Sequence, residues 1–359
     1  MTVQVDPWSS DSVVLEVEDL TVSFPSEDGL VQAVRGVSYQ LRRGEVLGIV
    51  GESGSGKSVT SLAVMGLLPT TAQITGSAKV LGREIVGLKD SELSAIRGNK
   101  ISMIFQDPLT SLSPVYTVGY QLSEAVLAHR DVSDDDAWKR AVELLDIVGI
   151  PNPDQRANNF PHELSGGMRQ RIVIAIAMAN NPDVIIADEP TTALDVTVQA
   201  QVMEALRNAR EETGAAMILI THDLGVVAGQ VDRVCVMYAG KLVEAGTVDD
   251  VFYTPRMPYT LGLLGSLPRL DEARDHRLTP ILGTPPSLVN LPPGCPFSPR
   301  CPMAQELCLV QEPDLVTVAE HGHRAACHYH ERLIGAKPID LFPPVITDAE
   351  LVEMVEEGV

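Results

Sequence analysis

Eight residues, GESGSGKS at 51–58, constrain this chain more than any other stretch of it. They fit the pattern G-x-x-x-x-G-K-[ST] and lie between an apolar run, EVLGIV, and a segment with helical patterning, SVTSLAVMGLLP, that Pro69 closes. Gly51, Gly54 and Gly56 let the backbone turn tightly enough to aim successive N–H groups at one anion. Ser53, Ser55 and Val59 complete this cradle, and the helix that follows adds the partial positive charge of its N-terminus. Lys57 is placed for the outer phosphates of a nucleotide, and the Ser58 hydroxyl can ligate Mg²⁺. A Gly/Ser-rich turn formed by chance would lack the strand before it and the helix after it.

The rest of the first 250 residues agrees with an α/β domain. Short β-branched runs at VVLEVEDLTVSF, AVRGVSYQL and EVLGIVG predict strands, with Pro25, Asp28 and Gly29 in the first hairpin loop. VIIAD (184–188) and AMILIT (216–221) lack polar alternation, which predicts strands central in a parallel sheet and covered on both faces. Residues 107–180 read as an all-helical insert, with one helical stretch over 116–149. Beyond Pro255 the composition changes, and nine prolines fall between Pro280 and Pro313. The expected organisation is a loose 1–12, a nucleotide-binding domain over 13–250, an extension over 251–335, and a solvated acidic tail over 336–359 whose last 22 residues hold six acids and no base.

Charge and hydropathy remove several functions. There are 27 Lys and Arg against 48 Asp and Glu, a net charge of −21 that opposes nucleic-acid binding, so no nucleic-acid partner is expected. No stretch approaches the ~18 apolar residues of a membrane helix. The N-terminus has neither the basic nor the apolar region of a secretory signal.

A phosphate loop needs an acidic element to hold its metal, and VIIADEP supplies one: Asp188 for Mg²⁺ and Glu189 as general base toward water. LSGGMRQR (164–171) precedes a helix, so Ser165, Gly166 and Gly167 offer a second anion site. One chain cannot easily fold both sites around one phosphate chain, which points to a pocket shared between two subunits. Gln106, after ISMIF, can reach metal and water, and His222, after AMILIT, can donate to a γ-phosphate.

In this order the motifs resemble the nucleotide-binding subunits of ABC transporters. Residues 51–58 look like Walker A, 184–189 like Walker B, 164–168 like the signature, Gln106 like the Q-loop, 193–195 (ending in Asp195) like the D-loop, and His222 like the switch histidine. Phe24 lies where that family stacks an aromatic on adenine. Met168 stands where the signature more often has Gln. The resemblance implies an ABC cassette (a RecA-like core, an antiparallel β subdomain and a helical subdomain) that binds ATP and Mg²⁺ and is hydrolytically competent. FPHELSGGMRQRI, TPRMPYTLGLLGSLP and GCPFSPRCPMAQELC…ACHYH are similar to the ATPase subunits of dipeptide, oligopeptide and nickel permeases, and most to the D-type subunit of a peptide permease. That implies a peripheral protein on the cytoplasmic face of the membrane. Its implied partners are a second, non-identical ATPase subunit, two transmembrane subunits and an extracytoplasmic binding protein. The alternatives are a nickel or other small-solute importer and, further off, a soluble ABC ATPase acting on DNA or ribosomes.

Four of the five cysteines, Cys295, Cys301, Cys308 and Cys327, fall in the Pro-rich extension. Their intervals suit zinc poorly, since zinc sites begin with ligands two to four residues apart, and suit a [4Fe–4S] cluster better. Zinc with His323 or His328 as a ligand is the runner-up, and thiols packed without metal the third reading. Cys235, in VDRVCVMY, reads as plain core.

Overall fold

The computed structural model describes residues 13–192, 194–267, 279–319 and 322–342. Strands are numbered along the chain. β1 (Val13–Ser26) and β2 (Gly29–Arg42) make a long antiparallel hairpin turned at Glu27 and Asp28. β4 (Gln73–Val80) and β5 (Arg83–Glu84) complete a sheet of order β2-β1-β4-β5.

The second sheet contains β3 (Val46–Val50), β6 (Ile101–Ile104), β7 (Val184–Asp188), β8 (Ala216–Thr221), β9 (Arg233–Tyr238) and β10 (Lys241–Thr247). Two short strands, β11 (Val316–Thr317) and β12 (Arg324–Ala325), finish it in the order β11-β12-β10-β9-β3-β8-β7-β6. Pairing is parallel from β9 to β6 and antiparallel from β9 outward. Every residue of β3, β7 and β8 is buried, as continuous apolar strands require when both faces are covered.

One core cluster fills the space between the two sheets and the helix Lys57–Val64. A second joins the parallel sheet to the helices Val118–Leu127, Asp134–Ile147, Gly166–Met178 and Val196–Thr213. The helical stretch read over 116–149 is two helices. Ser133 accepts from Asp136 N and starts a new one, and Asp134, Asp135 and Asp136 favour the positive end of its dipole. The helix after the phosphate loop stops well before Pro69, because Gly66 turns left-handed at φ 62 directly after the cap at Met65.

The change in composition after Pro255 is not a boundary in packing. β12 pairs with β10, and a third core cluster joins Val50, Val234, Val236 and Tyr238 of the sheet to Tyr259, Phe297, Ala326 and Phe342. Phe342 is buried and follows the short helix Pro338–Leu341, so the start of the segment read as a solvated tail is packed. Residues 343–359 and 1–12 lie outside the described residues. No helix among the described residues is long and apolar enough to cross a membrane.

Candidate nucleotide site

The phosphate loop leaves β3 under strict steric limits. A Cβ on Gly51 (φ 152) would lie 2.3 Å from Met237 O, and one on Gly56 (φ 102) 2.5 Å from Ala33 O. Only glycine takes these conformations beside backbone this close. Ser53 and Gly54 stand exposed at the lip of the turn, while Ser55 and Lys57 are buried. Among the described residues the Ser55 hydroxyl has no hydrogen-bond partner, and it lies 3.0 Å from the position a Cβ on Gly51 would take. Lys57 Nζ donates to Gly51 O at 2.7 Å and Glu52 O at 2.9 Å and lies 4.0 Å from Glu189 Oε1. Burial holds the Lys57 pKa below the usual lysine range, against the pull of Glu189 and Asp188. Val59 packs against the first core cluster and anchors the helix.

β7 delivers the acidic element. The Ser58 hydroxyl donates to Asp188 Oδ1 at 3.0 Å, so the two expected Mg²⁺ ligands already meet. Burial raises the Asp188 pKa, an effect that Ser58 and Lys57 offset only in part. A buried carboxylate opposite a hydroxyl and an ammonium, with an orphaned hydroxyl nearby, suits a hard cation and a phosphate chain. Glu189 follows at φ 46, and its N–H donates to Ile220 O at 2.9 Å. Left-handed backbone at a non-glycine residue is strained and concentrates at functional sites. Glu189 Oε2 is reached by Gln106 Nε2 at 3.2 Å, His222 Nδ1 at 3.2 Å and Thr192 Oγ1 at 2.9 Å. Thr192 was not anticipated from the sequence; its signal is its place three residues after the acid.

Ser165 caps the helix Gly166–Met178, its hydroxyl accepting from Met168 N at 3.3 Å. A Cβ on Gly167 would lie 2.4 Å from Val198 Cγ1, so that glycine lets two helices touch. No hydrogen bond joins Ser165, Gly166 or Gly167 to residues 51–58 among the described residues. Asp195 Oδ1 accepts from Thr197 N and Val198 N as a helix cap; Ala193, in the same predicted loop, lies outside the described residues. Phe24 is half-buried and pairs with Val31, two residues before Ala33, whose carbonyl covers Gly56.

Cys295, Cys301, Cys308 and Cys327 line one small cavity of ≈ 20 Å³, and Cys295 N donates to Cys308 O at 2.8 Å. All four are free thiols. Burial, reinforced by the neighbouring cysteines, pushes Cys301 up to about 12 and Cys327 to about 11. Among the described residues no group of three or more His, Cys, Asp or Glu could hold a metal ion. His323, a zinc ligand in the runner-up reading, is committed elsewhere: its Nε2 lies 2.8 Å from Glu244 Oε1, both side chains fully buried. His328 Nε2 donates to Gln311 O at 3.0 Å. Cys235 is buried in the first core cluster.

A phosphate loop, an acid pair at the end of β7 and a capped glycine helix N-terminus, carried on this topology, define an ATP-binding cassette, and the chain belongs to the ATP-binding proteins of ABC transporters. Residues 34–192 match the family described as ABC transporter, and 243–308 match the oligopeptide/dipeptide transporter C-terminal region. The oligopeptide transport ATP-binding protein OppD of Bacillus subtilis is 53% identical over 309 residues, 86% of each chain. The dipeptide transport ATP-binding protein DppD of the same organism is 53% identical over 316 residues, 88% of this chain and 94% of that one. OppD of Mycobacterium tuberculosis is 54% identical over 352 residues, 96% of this chain; the chain spans 57% of that longer protein. Among solved structures, a dimeric post-hydrolysis state of the ATP-binding cassette MJ0796 bound to ADP and Pi superposes with a TM-score of 0.58 at 30% identity, over 65% of this chain and 98% of that one.

Proposed function

We propose that this chain hydrolyses ATP as one of a pair of ATP-binding subunits and thereby drives a membrane importer of di- or oligopeptides. The observation that carries the reading is the meeting of Lys57, Ser58, Asp188, Glu189, Gln106 and His222 at the ends of adjacent parallel strands. Lys57 and the N–H groups of 51–58 bind the phosphates, and Phe24 stacks on adenine. Ser58 and Asp188, with Gln106, would hold Mg²⁺, which supplies charge neutralisation at the phosphate oxygens. Glu189 takes the proton of the attacking water, and His222 donates to the γ-phosphate. Gln106, Thr192 and His222 all reach Glu189 Oε2; a bound phosphate chain would draw Lys57 and His222 to itself and free the carboxylate.

Ser165, Gly166, Gly167 and Asp195 of the neighbouring subunit complete each pocket, so closure of the pair and capture of ATP are one event. The match of 243–308 and the peptide-transport names of the relatives support peptides over nickel as the transported solute. The reading includes a second, non-identical ATP-binding subunit, two transmembrane subunits at the cytoplasmic face of the membrane, and an extracytoplasmic binding protein. Purification from native membranes tests it. These subunits should co-purify, and peptide-loaded binding protein should stimulate hydrolysis; full-rate hydrolysis by a strict monomer indifferent to membrane subunits would overturn it.

A second reading concerns the four extension thiols, which we propose as ligands of a [4Fe–4S] cluster. Its support is their spacing and the one cavity they line, and binding would have to draw together thiols that do not close on a metal ion in this arrangement. Iron and acid-labile sulfide in anaerobically purified protein would support it, and zinc alone or no metal would reject it.

A further inference from the structure

Glu52 is the second residue of the phosphate loop, and its carboxylate brings negative charge to a turn that has to hold polyphosphate. Its partner lies 248 positions along the chain, in the extension: Arg300 Nη1 and Nη2 donate to Glu52 Oε2 and Oε1 at 2.6 and 2.8 Å. The Arg300 side chain is 4% exposed and also donates to Leu282 O and Tyr238 OH. The Glu52 backbone is held from the same direction, its N–H donating to the buried Tyr259 hydroxyl at 2.8 Å. Tyr259, Tyr238 and Phe297 pack with ring centroids 4.6 to 5.4 Å apart, a rigid bed on which the guanidinium lies. Glu52 O in turn accepts from Lys57 Nζ at 2.9 Å and Ser55 N at 3.2 Å. A continuous chain of contacts therefore runs from the extension through both ends of Glu52 to the ammonium that meets the phosphates.

We propose that Arg300 and Tyr259 are positioning residues for the nucleotide. The extension clamps the phosphate loop at Glu52 and cancels a carboxylate that would otherwise repel ATP. The inference rests on the nucleotide-site reading and adds a dependence of nucleotide affinity on the extension. A two-pronged guanidinium–carboxylate pair whose arginine is buried, with Glu52 28% exposed, fixes geometry as well as charge. The two members of the pair are consequently unequal. Losing the arginine leaves an unpaired negative charge beside the phosphates, whereas losing both leaves none.

Titration of the full chain with a fluorescent methylanthraniloyl-ADP and Mg²⁺ tests this, with a thermal melt of each variant alongside. Arg300→Met should raise the Kd about 10-fold or more, and added salt should shrink the defect by screening. The double variant Glu52→Gln/Arg300→Met should return to within about 3-fold of the unaltered chain. A merely structural role would leave the double variant no better than Arg300→Met. Should Arg300→Met not fold, Tyr259→Phe keeps the ring packing and should weaken binding roughly 3-fold. Lys57→Ala separates the two claims. If it binds as tightly as the unaltered chain, the nucleotide-site reading fails. If it loses binding while Arg300→Met and Tyr259→Phe retain full affinity, or the double variant shows no recovery, the clamp alone is overturned.

Discussion

One carboxylate oxygen of Glu189 collects donors from Gln106, Thr192 and His222, while Lys57 lies 4.0 Å from the other oxygen. Glu189→Gln keeps the shape of this knot and removes the proposed base, so phosphate release should fall at least ~100-fold with nucleotide still bound. Turnover near that of the unaltered chain would contradict the role. Asp188 gives a prediction of opposite character. Because burial raises its pKa, its contribution favours folding below the ordinary carboxylate range and is lost as pH rises through the folded value. Asp188→Asn should therefore raise the melting temperature of the nucleotide-free chain at neutral pH by a few degrees, yet abolish the further rise that MgATP gives. At this scale most of the site was legible, because phosphate chemistry demands particular residue types at fixed spacing. Thr192 and the Glu52 partners were not, since a hydroxyl three residues on and an arginine 248 positions away leave no local pattern.

The apolar runs at β7 and β8 announced buried parallel strands, and both are wholly buried in the sheet, as is the neighbouring β3. The helical insert was harder to divide, because an apolar spacing of three to four residues recurs on both sides of the break between Leu127 and Asp134. What separates the two helices is a cap, and caps are single-residue events that periodicity does not see. Ser133→Ala should accordingly cost about 1 kcal/mol, read from chemical denaturation, with nucleotide affinity unchanged. A loss of affinity would mean that the helical subdomain acts on the site from this end as well. The two-residue strands β11 and β12 were invisible for a different reason: they are strands only because β10 offers them an edge.

For the whole molecule, the composition shifts after Pro255, and the extension that follows packs into a core shared with the sheet. Pro-rich sequence cannot make helices or long strands, but it can lay side chains such as Phe297 and Phe342 into a core that another segment begins. Phe297 is 1% exposed, and Phe297→Ala should cost about 3–5 kcal/mol, lowering the single melting transition of cassette and extension together. Two transitions, with the cassette's unmoved, would mean that the extension folds apart from the cassette. The placement of β12 beside β10 carries one more consequence. A cassette cut near residue 250 would present the bare flank of β10, a row of unpaired amides and carbonyls ready to recruit a neighbour. In the intact chain β12 pairs with Glu244 and Ala245 of that flank, and the sheet ends in a strand of two residues, too short to template another. Solubility of the truncated cassette would then be a matter of concentration, and the extension serves as its guard against self-association.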